Sequence, residues 1–551
     1  MNGRLAFETG RPGRWVVADL QPHVAIMFKR LFPRVEQAKT ELTLVDNDEI
    51  RADLEWFTSR YPLKTEHAGL LAEGRERIER QRADRERILL PDWEPTDLIG
   101  FRSGMKPYRY QAQAAQIAVN NGGLLLGDDV GLGKTITTFA TAVFGAPLPM
   151  AIVVQPHLAD QWKKRAEEFT HMRVHIINGR APYNLPEADL YIFRYSNIAG
   201  WVDVFAQGVF KSVVWDEIQE LRHGAATAKG AASLTLRDNA RFRLGLTATP
   251  IYNFGDEMHA VADFIRPGLL GDIYEFRREW CSWGKAVKDP DALGAYLRST
   301  GYFLRRREDD KAVDAALPPP NVLDYPVAFD QQDVEREEEI IKSLAMTVLK
   351  GAFTEAGAAA RQLDLRMRQL TGIGKARSVA AYVKMLLRDS ERVLLTGWHR
   401  EVYSIWQKAL SEFNPVLFTG TESTAGKKRS MDAFTNGDSR VMMISLRSGA
   451  GLDGLQHHCN DIVFGELDWS PQVHHQLIGR LRRPGQKRQV NAYYLHADGG
   501  SDPVLMEMLG MKADQSRGIN DPGMAMVARH SDDSRIKKLA EYIMKGEVAH
   551  A

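Results

Sequence analysis

Two parallel-sheet α/β lobes in tandem, with a helical insertion and a small α+β domain at the N-terminus, are the architecture the sequence predicts. Three observations carry that prediction. Beyond residue 122 short apolar runs alternate with helical segments, the pattern of parallel strands covered on both faces. The runs fall into two sets of five, with a long helical stretch between them. The 551 residues also amount to roughly three to four domains' worth of chain, so no single core need hold it together.

In chain order, residues 1–70 read as the accessory domain. Trp15–Ala18 and Leu42–Val45 are strand-like, and Val24, Ile26, Met27, Leu31 and Phe32 recur at near-helical spacing. Asp46 with Glu49 three positions later predicts a capping box opening a second helix. Residues 71–104 form a charged helical linker. Glu73/Arg77 and Glu76/Arg80 sit at the favourable i,i+4 spacing, and mixed charge points to a solvated helix rather than a nucleic-acid arm. The first lobe, 105–253, carries the runs Leu124–Leu126, Ala151–Val154, Leu190–Phe193, Ser212–Trp215 and Leu244–Leu246. A helical insertion or connector spans 254–390. The second lobe, 391–510, carries Val393–Leu395, Val416–Phe418, Val441–Ile444, Ile462–Phe464 and Ala492–Leu495. Val504, Leu505, Met508 and Leu509, then Ile536, Leu539, Tyr542 and Ile543 in a helical tail (511–551), are apolar stripes expected to brace a lobe.

Composition narrows the function classes. Hydrophobic residues make up 44% and charged residues 26%, an ordinary globular balance. Lys plus Arg count 72 against 71 acidic residues, so a net charge of +1 provides no global field for nucleic acid, and any such partner must be held by a local patch. Cys281 and Cys459 alone exclude a disulfide framework and a four-cysteine zinc site, and suit a reducing compartment. The opening residues lack the apolar core of a signal peptide, and no apolar stretch reaches the ~20 residues of a membrane span. A cytoplasmic protein of prokaryotic or viral origin, with a monomeric core and no membrane partner, is expected.

The chemistry begins after the first run. Gly127-Asp-Asp-Val-Gly-Leu-Gly-Lys134-Thr135 lies between a strand and a helix start. Those are the parts needed to wrap backbone N–H groups round a phosphate chain, with Lys134 reaching the β/γ oxygens and Thr135 holding Mg²⁺. Strict phosphate-loop spacing would put Gly where Asp128 stands. Asp216-Glu217 follows Ser-Val-Val-Trp, which places both acids at the carboxyl end of a strand. There Asp216 can hold the metal through water and Glu217 can orient or deprotonate the attacking water. Thr247 and Thr249, at another strand end, are candidate γ-phosphate sensors. In the second lobe Arg480 and Arg483, three apart within Gln476–Gln486, would share one helix face and supply cations to the transferring phosphate. Such catalysis requires the lobes to close on each other. His457-His458-Cys459 and His474-His475 lack the spacing to wrap one tetrahedral ion. Trp398, Trp406 and Trp469 are either base-stacking or core aromatics.

Taken in order, these segments resemble the Swi/Snf-like branch of superfamily 2, the DNA-dependent ATPases and translocases related to DEAD/H-box helicases. Gln111 resembles the family's adenine-reading Gln. Asp128, Asp129, Val130, Gly131, Leu132, Gly133, Lys134 and Thr135 resemble its phosphate loop, in which an acid takes the place of Asp128. Gln155–Trp162 resembles the first DNA-contact motif, Asp216–Gln219 the DEAH-like box, and Leu246–Asn253 the third motif. Tyr302–Arg306 before Leu317-Pro318 resembles the segment leading into the second lobe. Ser445–Gly451, Asp468–Pro471 and Gln476–Gln486 match the later motifs.

The likeness covers about 105–510 and implies RecA-like lobes, with ATP and Mg²⁺ as cofactors. Gln476 joins the nucleotide set by this likeness. Gln161, Trp162, Ser196, Thr247, Thr249, Ser445, Arg447 and Trp469 become candidates for nucleic-acid contact or coupling. Phe276–Cys281, Thr371–Lys375 and Phe464–Trp469 look most like the annealing-helicase subgroup, whose N-terminal module for forked DNA residues 15–63 resemble. Ala248 stands where the family usually has Gly, and Gly479 where an acid is usual. The implied function is an ATP-driven motor moving on or remodelling duplex or forked DNA, more than RNA. The alternatives are a strand-separating DNA or RNA helicase of another superfamily 2 branch, and a catalytically weak nucleic-acid-binding scaffold.

Overall fold

The computed structural model describes residues 2–10, 12–95, 98–248, 255–282, 286–307, 310, 318–351, 353–446, 454–483, 485–507, 509 and 532–544. These divide into two compact units, one within residues 1–314 and the other from 315 onward.

The first unit opens with β1 (Arg4–Glu8), β2 (Arg14–Ala18), α1 (Pro22–Leu31), β3 (Leu42–Val45) and α2 (Asp48–Arg60). The strands form an antiparallel sheet, β1-β2-β3, packed through Trp15, Val17 and Leu44 on Phe28, Leu54 and Phe57. The expected cap moves by one residue. Asn47, in extended backbone, accepts from the Ile50 N–H at 2.7 Å, while the Asp46 carboxylate takes the Trp15 indole and the Arg51 guanidinium. A side chain that already neutralises an arginine is not available to cap.

The charged linker is a helix, α3 (Ala68–Ile88), but Arg77 pairs with Asp48 at 2.9 Å and Arg75 with Glu55 at 2.6 Å. Its arginines therefore bind it to α2 as well as to itself. Asp48 also meets Arg266 at 2.9 Å, Arg14 meets Asp272 at 2.7 Å, and Asn47 Nδ2 donates to the Gly268 carbonyl at 2.8 Å. Polar and charged groups thus fix the N-terminal domain to the lobe beside it.

That lobe runs α4 (Arg109–Asn121), β4 (Gly123–Leu126), α5 (Lys134–Val143), β5 (Met150–Val154), α6 (Ala159–Phe169), β6 (Val174–Ile176), β7 (Leu190–Arg194), α7 (Val202–Ala206), β8 (Ser212–Asp216), α8 (Ala228–Asn239) and β9 (Phe242–Leu246). It continues through α9 (Gly255–Ile265), α10 (Ile273–Trp280), α11 (Pro290–Ser299) and β10 (Phe303–Leu304). Among the described residues the strands make a seven-stranded parallel sheet, β10-β4-β9-β8-β5-β7-β6. All five expected runs are strands, and their side chains are buried on both faces because helices cover each. Asp216 lies in register with Leu246, and Leu246 with Leu126. The carboxyl ends of β8, β9 and β4 therefore stand side by side.

The second unit comprises β11 (Asn321–Pro326), α12 (Gln332–Arg336), α13 (Glu338–Lys350), α14 (Phe353–Leu386), β12 (Val393–Gly397), α15 (Arg400–Ala409), β13 (Val416–Phe418), α16 (Thr424–Thr435), β14 (Val441–Ser445), β15 (Asp461–Phe464), α17 (Pro471–Leu481), β16 (Asn491–His496) and a last helix over Asp532–Met544. Its sheet is parallel in the order β11-β16-β15-β12-β14-β13. The stretch 254–390 is divided: α9 to α11 belong to the first unit and α12 to α14 to the second. Ile536, Leu539, Ala540 and Ile543 of the last helix pack with Ile341, Ala345 and Val348 of α13, so the tail braces the second unit.

Burial and the neighbouring Asp272 push the Glu275 carboxyl up to about 7, against the pull of Arg34 and Arg14 and a bond from the Val45 N–H. Its ordinary value is 4.5, so the folded chain holds a proton there that the unfolded chain releases earlier. Stability from this group is full below about 4.5 and is lost as pH rises towards about 7. Glu275→Gln keeps the neutral form, and urea unfolding at about pH 5 and about pH 8 is expected to show a smaller difference than in the wild type.

Candidate phosphate-binding site

β4 delivers the chain to a turn that must reverse into α5 within seven residues. Gly131 and Gly133 take left-handed backbone, φ +95° and +73°, and Gly133 is the N-cap of α5. A Cβ at Gly133 would come within 2.4 Å of Gln111 Nε2, so a side chain there is strained by conformation and would displace the Gln111 carboxamide. No side chain caps α5, which leaves its first N–H groups for an anion.

The rest of the loop is clamped from two sides. Gln111 is buried, with Nε2 donating to the Leu132 carbonyl at 2.9 Å and Oε1 accepting the Tyr108 N–H at 2.9 Å. The Tyr110 hydroxyl reaches the same Leu132 carbonyl at 3.0 Å. From the other side come Arg305 and Arg306, which follow β10. The Gly127 N–H donates to Leu304 O at 2.7 Å and the Asp129 N–H to Arg306 O at 3.0 Å. Arg306 gives Asp128 Oδ1 its backbone N–H at 2.9 Å and its Nε at 3.1 Å, and its terminal nitrogens reach Asp128 Oδ2 and Tyr110 O. Arg305 pairs with Asp129 at 2.8 Å and donates to Gly127 O and Ala248 O.

Asp128 is fully buried, and its carboxylate braces the loop through Arg306. A carboxylate beside phosphates is repulsive, and here Arg306 neutralises it. Neither arginine had been expected to touch the loop; the sequence signal was two adjacent cations after an apolar pair, matching two adjacent acids in the glycine turn.

Lys134 Nζ donates to the carbonyls of Asp128 and Asp129 at 2.6 and 3.1 Å. Desolvation lowers its pKa, while Glu217, Asp128, Asp129 and Asp216 all act to raise it. The ammonium therefore lies within the field of both β8 acids. Thr135 is half-buried one residue on, and Val130 lies mid-loop. At the end of β8, Asp216 Oδ2 accepts the Trp162 indole N–H at 3.1 Å and Asp216 O the Tyr195 hydroxyl at 3.0 Å. Glu217 adopts left-handed backbone, φ +51°, and its Oε2 accepts Gln219 Nε2. The donor set offers a divalent ion a hydroxyl, a carboxylate and an adjacent phosphate cradle, which suits Mg²⁺.

Other candidates fall differently. Trp162 is buried, edge-on to Phe139, with its N–H bonded to Asp216, so it serves the acid and presents no face to bases. Gln161 is half-buried beside it, and Ser196 is exposed just past β7. Thr247 is buried at the end of β9, its N–H on Leu126 O at 3.0 Å. Thr249 and Arg447 lie outside the described residues.

In the second unit Trp469 is also a core residue, its N–H bonded to Asp364. Ser445 closes β14 and is buried. Gln476 and Arg480 are half-buried on α17. Arg483 does not share that helix. α17 ends at Leu481 with Arg482 as C-cap, and Arg483 folds back so that Nε donates to Gly479 O at 3.1 Å. Arg482 is buried on Pro318 O.

Known proteins place this geometry in context. The SNF2-related domain matches residues 51–370. A Drosophila melanogaster protein, SWI/SNF-related matrix-associated actin-dependent regulator of chromatin subfamily A-like protein 1, is 25% identical over 449 residues, covering 78% of this chain and 57% of that protein. The mouse DNA annealing helicase and endonuclease ZRANB3 is 25% identical over 430 residues, 71% of this chain and 38% of that protein. The uncharacterized ATP-dependent helicase YqhH of Bacillus subtilis is 22% identical over 465 residues, 77% of this chain and 81% of its own. Among solved structures, the Sulfolobus solfataricus SWI2/SNF2 ATPase core in complex with dsDNA matches with a TM-score of 0.38 at 18% identity, over 83% of this chain and 99% of that one. The chain spans little more than half the length of the Drosophila relative.

Arg306→Met strands a buried carboxylate and is expected to cost about 3–5 kcal/mol in urea unfolding. Adding Asp128→Asn should restore most of that loss. An additive double mutant would show that the two side chains act independently.

Proposed function

The chain belongs to the family of the SNF2-related domain, and from that membership we propose that it is an ATP-hydrolysing motor that moves on or remodels double-stranded or forked DNA. One observation carries the reading. The register of β4, β9 and β8 sets a glycine-rich phosphate cradle and the Asp216-Glu217 pair at one sheet edge, with Lys134 in the field of both acids. The α5 N–H groups and Lys134 bind the triphosphate, and Gln111 reads adenine with the acceptor capacity that its bonds to Tyr108, Tyr110 and Leu132 leave on Oε1. Thr135 and Asp216 would hold Mg²⁺, which supplies charge neutralisation on the phosphate oxygens. Glu217 accepts the proton of the attacking water.

Arg480 and Arg483 are assigned to the charge that develops on the transferring phosphate, and Gln476 to the nucleotide. Gln161, Ser196, Thr247 and Ser445 are the proposed points of DNA contact or coupling among the described residues. Phosphate contacts would position the motor without reading sequence. Two buried free thiols suit a reducing cytoplasm, prokaryotic or viral in host. No helix among the described residues is long and apolar enough to cross a membrane.

The deciding measurement is phosphate release with no nucleic acid, single-stranded DNA, duplex DNA, forked DNA and RNA, each at two salt concentrations. Stimulation by duplex or forked DNA is expected, weakening with salt. A translocase also removes the third strand of a triplex while leaving a blunt duplex paired; separation of that duplex would favour a conventional helicase. Lys134→Ala is expected to weaken ATP binding. Glu217→Gln should preserve binding and lower turnover by ~10²- to 10⁴-fold, and Arg483→Ala should slow hydrolysis with little loss of affinity. Wild-type turnover in Glu217→Gln would remove its role as base.

A further inference from the structure

We propose that Gln219 is a positioning residue for hydrolysis: its carboxamide holds the Glu217 carboxylate in the orientation from which the base takes the proton of the attacking water. The inference rests on Glu217 being that base. Gln219 Nε2 donates to Glu217 Oε2 at 2.5 Å, which occupies one carboxylate oxygen and leaves Oε1 to receive a proton. The amide has little freedom to do anything else. Gln219 is 3% exposed, within a short turn over Ile218–Leu221 that is held where its backbone carbonyl accepts both the backbone N–H of Arg222 at 3.1 Å and the Arg222 guanidinium at 3.2 Å.

The far end of the same amide argues that Glu217 sets its orientation. Gln219 Oε1 is buried with no hydrogen-bond partner among the described residues. A buried acceptor without a donor is unfavourable, and rotating the amide would give it a new environment. Rotation would also turn a carbonyl oxygen towards a carboxylate, so the arrangement that keeps Nε2 on Glu217 is the one retained. Glu217 itself stands in left-handed backbone, φ +51° and ψ +56°, a strained setting for a non-glycine residue that the neighbouring contacts must enforce. The adjacent acid is managed in the same way: the neutral Trp162 N–H sits on Asp216 Oδ2. Each acid thus has one oxygen held by an uncharged donor, which orients it without adding a competing cation.

In the step itself, the water oxygen bonds to the γ-phosphorus as its proton passes to Glu217 Oε1. The bond from the γ-phosphorus to the β,γ-bridging oxygen breaks, and ADP leaves with that electron pair. The proton on Glu217 then passes to the phosphate released.

The test is steady-state ATP hydrolysis by the full chain with stimulating DNA. Gln219→Ala is expected to lower kcat about 10- to 100-fold, with the KM for ATP within about twofold of wild type. Gln219→His retains a neutral N–H donor and should recover part of the loss. Wild-type kcat in Gln219→Ala overturns the inference. Glu217→Gln, run in parallel, separates the two ideas: if it is inactive while the Gln219 variants behave as wild type, only the positioning role fails.

Discussion

The glycine-rich loop proposed to hold nucleotide has to contain a negative charge and still receive a polyanion, and the Asp128–Arg306 contact resolves that conflict. Asp128 is removed from solvent and matched by a guanidinium that grips it with both side chain and backbone. Arg306 also takes the Tyr110 carbonyl and lies over the Tyr110 ring. Tyr110 and Gln111 in turn hold the Leu132 carbonyl. One buried charge pair therefore ties the start of α4, the glycine turn and the segment after β10 into one body. Such a pair stabilises little by itself after desolvation, and its value lies in geometry. The α5 N–H groups are presented to an anion only while the turn keeps that form.

Much of the architecture was legible because a strand buried on both faces has to be apolar throughout. All ten runs are strands, although β13 lies at the sheet edge with Val416 and Leu417 half-buried. The strands without such a signal are those of other physical kinds. β1 and β6 are short with polar residues among the apolar ones, β10 has two residues, and β11 is an exposed edge ending in proline. The phosphate turn was legible because its glycines and lysine must be contiguous. Its clamp was not, since Arg306 is 178 positions from Asp128.

Trp162 and Trp469 show a different limit. Residue type says that an indole is large, apolar and able to donate; it does not say which way the ring faces. Asp216 and Asp364, their partners, lie 54 and 105 positions away. Arg483 was placed on a helix because three-residue spacing permits it, whereas α17 stops two residues earlier. The Asn47 cap, one residue from the expected Asp46, shows how two good capping residues in sequence are separated only by what else each touches.

The late position of β10 sets an order on the making of this molecule. Every other strand of its sheet, β4 to β9, is complete by Leu246, yet the two residues that join the far edge arrive only at Phe303 and Leu304, with Arg305 and Arg306 just behind them. As the ribosome extends the chain, the sheet can assemble before the clasp on its glycine turn exists. Fastening of the glycine turn is then a late step of biosynthesis for this lobe. Those contacts come from the segment that next leads into the second unit, so a chain stopped before Phe303 lacks the side chains that clamp its glycine turn.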